Sequence, residues 1–546
     1  MGNDARSTSG GSSSTLGLVY SSANANAQSL IRIFNGTSSN DWMHSGASVT
    51  LTLHDGSTGT TVGTWVSPLL KAGVSMQFPI AEIESGLSPG VTKPATYAIT
   101  AQAAKTGMAI QNEVLRSNDG LLSNMTACDT GVASLGRVLI NVHSSQFSGN
   151  YPSTVAITNS GAKTLGFSVE IYDAEGGYFM GSFPTPIIPS GGHVIMSVAA
   201  MEAAAHITPS RFTPTYVIRF GRSSDGDYNF TAFFQHLVNN TRSGVITDMT
   251  TLCPVGGPEP SYHSVDGSLH TGLIFSSANG SGQSYLQIAN TDSVAGTVTL
   301  TLQDSAAGTS LGRWTSPSIP AGAAQEFPIG DIEGAVPLPP AKPAYYGLTV
   351  QSTFAGELQH VLRANSDSTP TDLSICDFGT GPSSSRLNGV HSSRLDATFP
   401  STVVVTNTAT TPGPVTLALY DATTGTRLGA ATTPPIPAGG HLSLSSSELE
   451  TAAQVTPSAS QLRYVIRTEG TFSGFLQHLV TNTNTGAVTD LTIACKLQLD
   501  STKDNQPPLG ATLADVPPGV DLAHLPPGID LSRLSPSLRD LILSLQ

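Results

Sequence analysis

The chain is poor in charge. Only 11% of its 546 residues are Asp, Glu, Lys or Arg, against about 25% in ordinary soluble proteins. Basic residues are the scarcer kind: 24 Lys and Arg face 38 Asp and Glu, for a net charge of −14 and a pI near 5.3. That balance argues against a nucleic-acid partner, which would need a basic stripe, and equally against electrostatic binding to anionic lipid. No apolar run approaches the ~20 residues that span a bilayer. Residues 1–14 have no apolar core of a secretory signal, which leaves a trimmed mature chain, signal-independent export, or packaging into a virion-like particle. Cysteine is rare, with four copies, and tryptophan rarer, with three. Ser, Thr, Ala, Gly and Pro take up the room, the residues of β-turns and hydroxyl-rich strand faces. This composition leads us to expect a protein outside the cell or on its surface.

The four cysteines occur once per internal repeat. Gln235-His236-Leu237-Val238 leads through Asp248-Met249-Thr250 to Cys253. Gln359-His360-Val361 leads likewise to Asp372-Leu373-Ser374 and Cys376, and Gln477-His478-Leu479-Val480 to Asp490-Leu491-Thr492 and Cys495. A looser first copy runs from Gln111-Asn112-Glu113-Val114 to Asn124-Met125-Thr126 and Cys128. The period, roughly 120 residues, is that of a domain and not of a solenoid coil. With one cysteine per domain no bridge forms inside a domain, which leaves unpaired thiols or inter-repeat disulfides. CxxC metal spacing is absent, and no metal or cofactor is expected.

Repeats one and three match each other best, as do two and four. Val19-Tyr20-Ser21-Ser22-Ala23-Asn24 returns as Ile274-Phe275-Ser276-Ser277-Ala278-Asn279, and Tyr151-Pro152-Ser153-Thr154-Val155 as Phe399-Pro400-Ser401-Thr402-Val403. The plan is therefore A-B-A′-B′. It divides the chain into a polar tail at 1–14, repeat A at 15–134, repeat B at 135–258, repeat A′ at 268–380, repeat B′ at 385–498, and a linker with a terminal tail at 499–546. Within each copy the period is two. Thr297-Val298-Thr299-Leu300-Thr301-Leu302-Gln303 alternates polar and apolar, the signature of a half-buried strand. Asp-x-x-x-Gly turns follow, at Asp55 to Gly59, Asp304 to Gly308 and Asp421 to Gly425. Short helical turns are expected near Ile80–Glu84, Gly330–Glu333 and Ser447–Glu450. Short strands with turns every 8–12 residues predict an all-β protein of four tandem Ig-like antiparallel β-sandwich repeats.

The apolar-x-Asn strand, the Thr-Val-Thr-Leu strand, the Tyr-Asp-Ala-x-x-Gly hairpin, the Pro-Ala-Gly-Gly turn and the closing Gln-His…Cys strand together resemble repeat modules of bacterial secreted or cell-surface β-sandwich proteins. The resemblance covers about 15–498. It implies a module and no activity, and carries no catalytic residue onto this chain.

Candidate chemistry is sparse. His236, His360 and His478 fall in separate repeats, and Asn112 replaces them in the first, so a shared metal site is disfavoured. Gly308-Thr309-Ser310-Leu311-Gly312 fits the G-x-S-x-G pattern, but its internal copies lack the serine and a hairpin is no nucleophile elbow. Trp42, Trp65 and Trp314 are candidate sugar-stacking residues. Gln111, Gln235, Gln359 and Gln477, invariant across the copies, are expected to satisfy backbone groups of a neighbouring strand. In the tail, Pro-Pro-Gly precedes Val520, Leu522 and Leu525, and then Ile529, Leu531 and Leu534. That apolar nonapeptide pair is the candidate anchor to a protein partner or to a second copy. The functional expectation is a non-enzymatic modular surface, adhesive or particle-associated structural protein projecting from a C-terminal anchor. Its alternatives are a carbohydrate-binding module array, with a glycan as partner, and a phage or particle decoration or fibre protein.

Overall fold

A computed structural model of the chain describes residues 14–36, 46–88, 90, 92–103, 108–116, 122–127, 138–147, 149–226, 232–242, 244–256, 269–365, 369–375, 385–492, 495–496, 522, 531 and 535–545. The alternating segments form strands as their period demands. Val49–Asp55 and Val298–Asp304 bury Val49, Leu51 and Leu53, and Val298, Leu300 and Leu302, on one face. Each repeat makes two antiparallel sheets. In the first repeat one sheet runs in the order Ser14–Tyr20, Thr96–Ala103, Val49–Asp55, Thr61–Val66, and the other Leu122–Asn124, Met108–Arg116, Ala27–Asn35, Ser75–Pro79. The same plan recurs in the other three, and the two sheets of a repeat close on a shared apolar core. Short helices stand at Ile80–Ser85, Val198–Ala204, Ile329–Ala335 and Ser446–Ala453.

The expected four tandem Ig-like β-sandwiches are overturned by what covers the other faces. A free sandwich wets the outside of both sheets. Here Met108–Arg116 is buried at every position but Leu115, and Ala232–Asn239 at every position but Asn239. The outer face of each repeat packs on the next one. Leu18 and Met125 meet Ala156 and Leu237; Ile140 and Val217 meet Ala289 and Ala324; Leu273 and Leu362 meet Val404 and Leu479; Leu122 meets Val480 and Leu491. The fourth repeat also returns to the first through a strand pair, Cys495 opposite Ile110 and Lys496 opposite Ala109. Eight small sheets thus form a closed circle, an eight-bladed β-propeller to which each repeat supplies two blades. The segment Cys253–Val255 is a strand of the third repeat's sheet, paired with Gly356–Leu358.

Candidate functional site

The repeated signature lies at the centre of the circle. The short strands Leu122–Asn124, Ile246–Asp248, Pro370–Asp372 and Val488–Asp490 contact one another around the axis. Each signature glutamine reaches back into the preceding repeat. Gln235 Nε2 donates to the Met125 carbonyl (3.3 Å), Gln359 to Met249 (2.7 Å), Gln477 to Leu373 (3.3 Å), and Gln111 completes the circuit on Leu491 (2.9 Å). Three of them also donate to the aspartate of their own repeat, Asp248 (3.0 Å), Asp372 (2.9 Å) and Asp490 (2.6 Å). In the first repeat Asn124 takes the aspartate's place, and its Nδ2 donates to the Asp490 carbonyl (3.1 Å). These residues and neighbouring threonines surround a polar cavity of about 40 Å³, room for a water molecule and little more.

Burial dominates the electrostatics of this axis. It pushes the carboxyl of Asp248 up to about 6, Asp372 to about 7 and Asp490 to about 6, against the hydrogen bonds that each accepts from its glutamine and its own Thr or Ser. Among the described residues, no group of three or more His, Cys, Asp or Glu could hold a metal ion. The histidines are equally committed. Nε2 of His236, His360 and His478 lies 2.7–2.9 Å from Ser153, Ser284 and Ser401. Burial lowers His236 and His360 to about 3.

A second fourfold cluster escaped the sequence reading. Glu84, on the first short helix, accepts from Ser22 N (3.0 Å), Ser22 Oγ and Tyr97 Oη (3.2 Å), and pairs with Lys93 (2.8 Å). Burial raises its carboxyl, but the bonds from Lys93 and Ser22 outweigh that and hold it below its usual range. Glu202 with Ser145 and Tyr216, Glu333 with Ser277 and Lys342, and Glu450 with Ser393 and Tyr464, repeat the arrangement. The spacing from Glu to Tyr, 13 or 14 residues, could have shown it. A fourfold tie between loop and helix is a fold device.

The remaining candidates scatter. Trp65 and Trp314 are half-buried against the cores of their repeats, edge-on to Phe78 (5.0 Å) and Phe327 (4.9 Å); Trp42 lies outside the described residues. Cys253 is disulfide-bonded. The unpaired-thiol alternative is thereby ruled out for Cys253. The side chains of Cys128, Cys376 and Cys495 lie outside the described set. In the tail, Leu522 and Leu531 are half-buried, while Val520, Leu525, Ile529 and Leu534 lie outside it. Beyond them the helix Pro536–Leu545 buries Leu538 and Ile542 against the chain itself and exposes Leu543 and Leu545.

Among the described residues are two recesses with room for more than water. One, of about 360 Å³, is lined by Pro186, Ile187, Pro189, His193 and Ile195 of the second repeat and by Thr96 of the first. The other, of about 200 Å³, lies between the second and third repeats. A scan against protein-family models and a search of the curated proteins find no match to this chain.

Proposed function

We propose that this protein is a non-enzymatic scaffold, a surface- or particle-associated structural component that binds a macromolecular partner through the outside of its second repeat. Support comes from how the repeated polar side chains are used: Gln, His, Asp, Glu and Tyr are spent on internal hydrogen bonds, and burial holds His236 and His360 at about 3, far below the value that acid–base work at neutral pH favours. The observation that carries the reading is the recess of the second repeat. Ile187 is 61% exposed and Ile195 47%, and clustered exposed apolar residues mark interaction surfaces. The aligned positions of the fourth repeat hold Pro435 and Ser443, so the scaffold does not require isoleucine there. The disulfide at Cys253 supports an oxidising compartment.

The test grafts the fourth repeat's residues onto the second. The double variant Ile187→Pro/Ile195→Ser should melt at the wild-type temperature. In fractionation of the source cells or particles, wild-type protein should sediment with them while the variant stays in the supernatant. Equal partition of the two proteins would refute the surface.

A further inference from the structure

At each of the four junctions between repeats, an irregular strand places one residue in the left-handed region: Leu18 (φ 45°), Asn141 (φ 49°), Leu273 (φ 55°) and Gly389 (φ 70°). Each sits at a register shift in its sheet. The residue across the junction matches it in size at three of the four. Leu18 packs in one cluster with Ala156, and Leu273 with Val404. Gly389 leaves room for the Arg32 guanidinium, which a Cβ at that position would strike at 2.4 Å; Arg32 then ion-pairs with buried Glu113 at 2.6 Å.

The junction of the second and third repeats is the exception. Asn141 and Gln287 stand at the matching positions and line the 200 Å³ cavity instead of filling it. Asn141 is 6% exposed and its Nδ2 has no hydrogen-bond partner. His236, 3% exposed, also lines the cavity, and its Nδ1 has none. Gln287 donates instead to Glu326 Oε2 (2.8 Å). A buried donor without an acceptor is costly, so an asparagine held in this conformation calls for something to accept from it.

We propose that this cavity binds a neutral, hydroxyl-bearing small molecule the size of one pyranose ring. The chemistry selects it. The one cation in the lining, Arg363, is already met by both oxygens of Glu326 (2.8 and 2.7 Å) and stacks over Tyr285 at 4.0 Å, so no charge is left over for an anion. His143, whose Nδ1 lies 3.0 Å from the Tyr151 carbonyl, is kept neutral by burial. What remains in the lining are neutral donors and acceptors together with Tyr151 and Phe147, the latter 47% exposed. A few placed polar groups beside aromatic walls are the usual make-up of a small-ligand site. The volume is that of roughly six or seven waters at about 30 Å³ each. This inference does not depend on the partner surface of the second repeat.

The experiment is a calorimetric and NMR titration of the full chain with glucose, galactose, mannose and N-acetylglucosamine, with acetate and phosphate as anionic controls. At least one sugar should bind saturably at millimolar concentration, perturbing resonances of Asn141 and His236, and the anions should not compete. Asn141→Leu, the residue of the first and third junctions, should weaken binding by about tenfold or more. Asn141→Gly, the residue of the fourth, should do so with an unchanged melting temperature, which guards against a folding artefact. The proposal is overturned if no sugar binds, if the anions bind there instead, or if both variants bind like wild type.

Discussion

Removing the glutamine that joins the second and third repeats should weaken the molecule by an amount that depends on pH. Gln359 is fully buried, and its Nε2 donates to the Met249 carbonyl (2.7 Å), the Thr251 carbonyl (3.3 Å) and Asp372 Oδ2 (2.9 Å). Gln359→Ala leaves the carbonyls short of a donor. A lost neutral hydrogen bond with its desolvated acceptor costs about 1–2 kcal/mol. Below the value of about 7 that burial imposes on Asp372, that side chain is protonated and the neutral cost is most of the effect. Above it, a buried carboxylate loses one of its donors and keeps those of Thr251 and Ser374; a bond to a charged group is worth about 1.5–3 kcal/mol. The destabilisation should therefore be about 1–2 kcal/mol at pH 5 and about 3 kcal/mol at pH 8. Unfolding entropy near 2 cal/mol/K per residue makes ~1 kcal/mol worth roughly 1 °C if the whole circle unfolds as one unit. Urea denaturation at the two pH values is thus the sharper assay. A destabilisation that is the same at both, or absent at both, would show that Gln359 and Asp372 are not coupled as described.

Two further outcomes follow from the axis and from the junction of the fourth and first repeats. The fold binds a proton at Asp372 more tightly than the unfolded chain, so this group favours the folded state fully below pH 4 and progressively loses that contribution as pH rises to about 7. Asp372→Asn, for which Asn124 is the internal precedent, should gain on wild type by a few kcal/mol between pH 5 and 8, at about 1.4 kcal/mol per unit; histidine titration cancels in the difference, and a constant gap would refute it. Arg32→Gln should cost about 3–5 kcal/mol, because Glu113 is left charged in a dry site. Adding Glu113→Val, which reproduces Gln287 and Val361 of the third repeat, should recover most of that loss in denaturant titrations; a double variant no more stable than the single one would contradict the pairing.

The strands and turns were legible because their cause is local. Val298–Asp304 alternates in sequence and alternates in burial. The circle was not legible, and the reason lies in the second sheet of each repeat. Gln235 and His236 are polar and adjacent, and the sequence does not say which neighbouring strand their hydrogen bonds reach. In the fold Gln235 faces the first repeat and His236 a serine of its own, both buried, because side-chain hydrogen bonds replace water there. A neighbouring strand of the same repeat and one of the preceding repeat would meet such an amide equally well, so the junction stays unassigned until its partners are known. The closing pair of Cys495 and Ile110 joins segments from opposite ends of the chain, and no local pattern encodes it. The junction cavity was hidden for a related reason: Asn141 is informative only beside Leu18, Leu273 and Gly389, and it is the register shift shared by their strands that makes the odd and even repeats equivalent at this position.

The closing strand pair also sets an order of events. Ile110 is synthesised long before Cys495, and until Cys495 and Lys496 emerge the strand Met108–Arg116 keeps an unpaired stretch of edge. An open edge accepts whatever strand arrives first. During synthesis the first repeat must therefore wait for its own chain to finish, and contacts so distant in sequence form slowly. In a crowded compartment the waiting edge is equally a target for the last strand of a neighbouring nascent chain. Misassembly would then produce open strings of linked molecules, and slow dilution during refolding would favour the closed monomer over them.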